Sequence, residues 1–211
     1  MTTEPAWPGH ARATRTRALQ TMLAKEGLYK GAIDGADGPR TNAALIALQI
    51  KRGGCARRIN RIVLHCTATR EGQFADAAEI RRWHQAKGWK DIGYHHVHLL
   101  DGSVQPGRPE IQIGAHAEGF NADSIGVVYV GGLAVDGQTP KDTRTAAQRT
   151  SLAQQLLALS YRYPGAEICG HRDLSPDRNG DGRVTPDEWM KACPSFDAAG
   201  FVREIGLQVP A

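Results

Sequence analysis

The sequence predicts an α/β protein, a mixed central sheet flanked by helices, preceded by a small all-α unit. Three observations lead there. Short apolar runs, RIVLHC at 61–66 and SIGVVYV at 124–130, read as buried strands. Segments with helical spacing of apolar residues alternate with them, at 76–89 and 145–163. Ahead of both, residues 15–52 show helical spacing only, broken by a Gly-Asp loop.

In chain order, residues 1–12 read as a loose tail. Leu19, Met22 and Leu23 place a helix over 15–26, which Gly27 can stop. The loop YKGAIDGADGPRT follows, and Pro39 suits the first turn of a second helix with Ala44, Leu45 and Leu48 inward. This unit, residues 1–54, is too small to be more than marginal alone. After a linker near 53–58, the larger domain spans 58–211. RIVLHC is its first strand. The helix at 76–89 buries Ala77, Ile80 and Trp83 and leaves His84 on its exposed face. YHHVHLL, the turn DG and SVQPGR form a hairpin. SIGVVYV is a strand buried on both faces, the helix at 145–163 carries a Leu152, Leu156, Leu159 stripe, and AEICGH is a last short strand.

Composition excludes some classes. The 211 residues carry 41% hydrophobic and 23% charged side chains, as in a globular protein. No run of ~18 apolar residues is present, so no helical membrane span and no stable membrane association is expected. The N-terminus has no apolar signal core. Four cysteines in a chain made in the cytoplasm are expected as buried thiols or metal ligands. Residues 1–52 hold eight basic and four acidic side chains, within a whole-chain net charge of +4. That suits an anionic polymer partner, or simply a solvated helix surface.

Two candidate metal sites stand out. SPDRNGDGRVTPDE contains a twelve-residue calcium-loop pattern at 177–188. Asp177, Asn179 and Asp181 offer side-chain oxygens, Arg183 its carbonyl, Thr185 a contact through water, and Glu188 both carboxylate oxygens, while Gly182 permits the turn. A metal-free Asp/Gly turn is the competing reading. Around this loop stand His65, His171 and Cys193, imidazole and thiol donors that suit zinc. Spacing alone leaves open whether they are ligands or core residues. Cys66 beside His65 makes a poor nucleophile pair, because neighbouring strand residues point to opposite faces.

RIVLHCTAT, EIRRWHQAKGWKDIGYHHVHLLDGSV, GAHAEGFNADSIGVVYVGG, GHRD and KACPSFD resemble, in the same order, the phage-lysozyme type of zinc N-acetylmuramoyl-L-alanine amidase. That family is related to the peptidoglycan recognition proteins. The resemblance runs from Arg61 to Phe196, with the calcium-loop stretch as an insertion. It implies zinc (Zn2+) ligation by His65, His171 and Cys193, and catalytic assistance from Tyr94 of the GYH motif and from Lys191, two residues before the Cys ligand. It places His116 against substrate, although a structural loop histidine remains open. Residues 19–49, with the DG…GPRT signature, resemble a small helical peptidoglycan-binding domain, with Asp34 and Arg40 as wall contacts.

The resemblance implies an endolysin that cleaves the amide between N-acetylmuramic acid and L-alanine. Its partner would be peptidoglycan and not nucleic acid. It would act as a monomer and wait in the host cytoplasm before reaching the wall in the periplasm. A non-cutting recognition protein and a cytoplasmic recycling amidase are the rival readings. Calcium (Ca2+) is expected to pre-order the insertion and to fix where Lys191 and Cys193 emerge.

Overall fold

The computed structural model describes residues 9–207, with side chains from residue 13 onward, so most of the expected tail and the last four residues lie outside it. The N-terminal unit pairs α1 (Gly9–Lys25) with α2 (Pro39–Lys51). The first helix begins well before the apolar stripe that predicts it. The added residues, 9–14, include Ala11, Arg12 and Ala13, which are good helix formers. Leu23, Tyr29, Ala44, Leu45 and Leu48 close the small core.

Gln20, fully buried, organises the loop between these helices. Its amide nitrogen donates to Asp34 Oδ1 at 2.8 Å, and its carbonyl oxygen accepts the Gly35 N–H at 2.9 Å. Gly35 is required on two counts: φ is +80°, and a Cβ would stand 2.9 Å from the Ala13 carbonyl oxygen.

The larger domain contains β1 (Arg61–Cys66), β2 (Thr69–Arg70), α3 (Ala77–Ala86), β3 (His96–His98), β4 (Val104–Pro106), β5 (Ser124–Tyr129), β6 (Gly132–Leu133), α4 (Ala146–Arg162), β7 (Glu167–Gly170) and α5 (Ala198–Glu204). The main sheet runs β4-β3-β5-β1-β7. β3, β5, β1 and β7 are parallel, and β4 closes the predicted hairpin antiparallel to β3. The four parallel strands therefore end on one side of the sheet, the side where open α/β sheets place their sites.

Period-2 alternation divides the core. Ile62, Leu64 and Cys66 of β1 and Ile125, Val127 and Tyr129 of β5 meet Leu152, Leu156 and Leu159 of α4 and Phe201 and Val202 of α5. Val128 of β5 faces the other way, toward Ala77 and Ile80 of α3. His65, one step along from Leu64, shares that second face. Thr145 and Gln148 cap α4 reciprocally, worth about 1 kcal/mol.

The segment expected as a linker is packed rather than extended. The Cys55 N–H donates to the Tyr163 hydroxyl at 3.0 Å. Arg57 donates to the carbonyls of Glu110 at 2.9 Å, Ala122 at 2.8 Å and Ser124 at 3.0 Å. The N-terminal unit is held by a bidentate Arg58–Asp37 pair at 2.7 and 2.8 Å, and by Arg52 on the Tyr161 carbonyl at 3.2 Å. All four cysteines are free thiols, with Cys66 and Cys169 buried and Cys55 and Cys193 half-buried.

Candidate functional site

The parallel strands deliver two of the three expected donors directly. His65 is the fifth residue of β1, and His171 follows the last residue of β7. Cys193 arrives from the far side of the insertion, 128 residues from His65, with its Sγ 3.7 Å from His65 Nδ1. One ligand atom from each of the three lies within 4.8 Å of the others, the sole such group of His, Cys, Asp or Glu among the described residues. The two imidazole rings are 4.7 Å apart.

The electrostatics suit a cation held by neutral imidazoles. Burial, then the neighbouring His116, His171 and Lys191, pushes the His65 pKa well down. Burial and Lys191 bring His171 to about 4. Cys193 sits beside Cys66, and that contact, with burial, pushes its thiol up. A divalent cation would supply the missing positive charge. The Cys66 N–H already points at Cys193 Sγ from 3.3 Å, a donor that favours the thiolate. Two imidazoles and a thiolate form a borderline-soft set that fits zinc better than a hard cation.

Tyr94 lies over the site, its ring 5.1 Å from that of His65. Burial raises its pKa, so the phenol keeps its proton at neutral pH. Lys191 is exposed, and its charge is felt by both histidines.

His116 is placed differently from the expectation of a substrate contact. It is buried, and its Nδ1 stands 3.0 Å from His65 Nε2. Its Nε2 faces Ser124 Oγ at 3.4 Å. Gly114 and Gly126 make room for this ring, since a Cβ on either would approach its Cδ2 to 2.5 or 2.6 Å. A glycine within the otherwise apolar strand SIGVVYV was the available signal of that close approach. His84, expected on an exposed helix face, is buried instead: its Nδ1 accepts the Gly93 N–H at 2.9 Å and its ring packs on Trp89. The helix turns this polar residue inward because a backbone donor awaits it.

The other histidines of the hairpin bond to residues away from the donor cluster, although the buried Nε2 of His98 has no hydrogen-bond partner among the described residues. His95 accepts from Gly126 N–H and donates to the Gln112 carbonyl. His96 binds Glu110, and His98 binds Ser151. Sequence reasoning missed Glu110, Arg57 and Ser124, which stand in no motif and gain importance only through distant partners.

In the insertion, Asp177 accepts from the Gly180 and Gly182 amides, and Glu188 from those of Arg178, Asn179 and Thr185. Asp181 accepts from the Arg183 amide, and Asn179 from that of Asp181. The neck is closed by direct bonds, Arg172 N–H to the Cys193 carbonyl at 2.7 Å and Met190 N–H to Ser175 Oγ at 3.0 Å. The Arg172 guanidinium stacks on Trp189. In the N-terminal unit, Asp34 is occupied by Gln20 and the Ala36 amide, whereas Arg40 is exposed beside a shallow groove lined by Leu28, Tyr29, Lys30, Ala43 and Ala47.

Fold and site together define a class: an α/β protein with a histidine–cysteine cluster at the carboxyl ends of its parallel strands. The chain belongs to the N-acetylmuramoyl-L-alanine amidase family, whose sequence model matches residues 56–195. It is 40% identical over 136 residues to the endolysins of Enterobacteria phage T3 and Escherichia phage T7, covering 64% of this chain and 80% of each relative. Among solved structures, the endolysin amidase LysCS from Clostridium intestinale superposes with a TM-score of 0.56 at 25% identity, covering 72% of this chain and 86% of that one. Among the described residues no helix is long and apolar enough to cross a membrane.

Proposed function

We propose that this chain is an endolysin that hydrolyses the amide between N-acetylmuramic acid and L-alanine in peptidoglycan, with zinc held by His65, His171 and Cys193. The convergence of those donors within 4.8 Å is the observation that carries the reading. When bound there, zinc would lower the pKa of water toward ~7 and polarise the scissile carbonyl. The remaining work falls to the chain's own residues. Lys191, two residues from Cys193, stabilises the oxyanion that develops as the amide carbon becomes tetrahedral. Tyr94, kept protonated by burial, donates a hydrogen bond to the same region. No carboxylate lies on β5, so that strand supplies no general base.

Turbidity loss of permeabilised Gram-negative cells tests the activity, with His171→Ala as control. Clearing by the parent alone is expected. Binding to walls without clearing would make the protein a recognition module instead. Lys191→Met is expected to lower turnover by ~10²–10³ with little change in KM, and Tyr94→Phe to act in the same direction. Steady-state kinetics on a soluble muropeptide would check both, and an unchanged kcat for Lys191→Met would remove it from the mechanism.

The N-terminal unit is proposed as a wall anchor, with Arg40 beside its groove as the better-placed contact. The protein would act as a monomer, held in the host cytoplasm until release. For the insertion we propose calcium at Asp177, Asn179, Asp181, Arg183, Thr185 and Glu188. Because the neck is already closed, calcium would order the interior of the loop rather than its ends. Calcium at a hundredfold excess over its Kd is then expected to stabilise zinc-loaded protein by about 2.7 kcal/mol. A thermal melt with and without calcium measures this, and coincident melts would dismiss the site.

A further inference from the structure

The hydrogen bonds around His116 have a direction. Ser124 Oγ lies 2.7 Å from the Phe120 carbonyl, which can only accept, so the single hydroxyl proton is committed there. Toward His116 Nε2, at 3.4 Å, Ser124 must therefore accept, and Nε2 carries the proton. Neutral His116 then has a lone pair on Nδ1. Its partner at 3.0 Å, His65 Nε2, must donate, which leaves the His65 lone pair on Nδ1. That is the nitrogen facing Cys193 Sγ. The polarity read from the serine end thus arrives at the metal-facing atom with the correct sign.

We propose that His116 is a positioning residue: by accepting the Nε2 proton of His65, it holds that imidazole in the tautomer whose Nδ1 points at the ion. The inference rests on the zinc reading above. Gly114 and Gly126 belong to the same device, because side chains there would displace the ring. The His116 amide and that of Ala117 both donate to Asn121 Oδ1, at 2.8 and 2.9 Å, which fixes the loop that carries the ring. A ligand-orienting partner of this kind typically contributes 10–100-fold to metal affinity.

Long-range 1H–15N spectra of zinc-loaded, 15N-labelled parent protein test the tautomers directly. His65 and His116 are both expected to carry their proton on Nε2. A proton on His116 Nδ1 would overturn the proposal, because that nitrogen could not accept. Zinc affinity by competition with a chromophoric chelator provides the second arm. His116→Phe is expected to bind zinc ~10–100-fold more weakly. His116→Asn, whose Oδ1 can accept where Nδ1 did, is expected to recover most of the loss. Equal losses in both variants, or zinc affinity unchanged with only KM raised, would refute a positioning role. A parent that binds no zinc would instead undo the reading of the whole site.

Discussion

Replacing Cys193 with serine is expected to abolish wall lysis and to leave the purified protein without stoichiometric zinc. The donor set explains the size of the effect. His65 and His171 are kept neutral by burial and by Lys191, so they can coordinate but cannot balance the charge of a divalent cation. Cys193 is the one member of the set able to supply a negative charge, and the Cys66 N–H already faces its sulfur. A serine hydroxyl at that position is a poor ligand near neutral pH. The loss in turnover should exceed the ~10²–10³ that removal of a single oxyanion donor costs. Metal content by mass spectrometry and clearing of permeabilised cells measure the two consequences separately. Full lysis by a zinc-free Cys193→Ser protein would end the metal-dependent reading. Chelator treatment of the parent should reproduce the loss, with recovery on zinc addition.

Glu110→Gln is expected to produce the largest loss of stability among single polar substitutions. Glu110 is nearly buried and binds three partners: His96 Nε2 at 2.7 Å, the Arg162 guanidinium at 2.9 Å and the Tyr163 hydroxyl. Tyr163 in turn accepts the Cys55 amide, so the carboxylate ties the interdomain segment to α4 and β3. Burial alone would raise its pKa, but the His96 and Tyr163 bonds and the Arg162 charge outweigh that and hold it at about 2. Set against an ordinary value near 4.5, this corresponds to about 3 kcal/mol, within the range for breaking a buried ion pair. Because the folded-state pKa is depressed, the stabilisation is complete above pH ~4.5 and is lost as pH falls toward 2. Parent and Glu110→Gln should therefore differ in Tm by roughly 6–12 °C at neutral pH and converge near pH 2. A Tm gap that did not change with pH would show that the carboxylate charge is not what matters.

Much of this was legible along the chain. The strand and helix positions followed from period-2 and period-3.6 patterns, which are local. The donor residues were legible as types, since imidazole and thiol at the ends of strands and after a loop limit the chemistry. His84 shows where such reading stops. An amphipathic pattern assigned it to solvent, and the Gly93 amide, nine residues away, drew it inside. In the small unit the Asp34 carboxylate stays exposed but accepts from the Gln20 amide and the Ala36 N–H, partners that its motif did not announce.

By itself, then, the sequence determined the fold class and, through motifs in a shared order, the family, and it offered His65, His171 and Cys193 as donor types only. The folded chain decided which of these donors meet and which side chains surround them. Cys193 reaches His65 across 128 residues, and His116 reaches it across 51. Those pairings depend on which buried polar atoms find partners once water is excluded, and no local spacing encodes that choice.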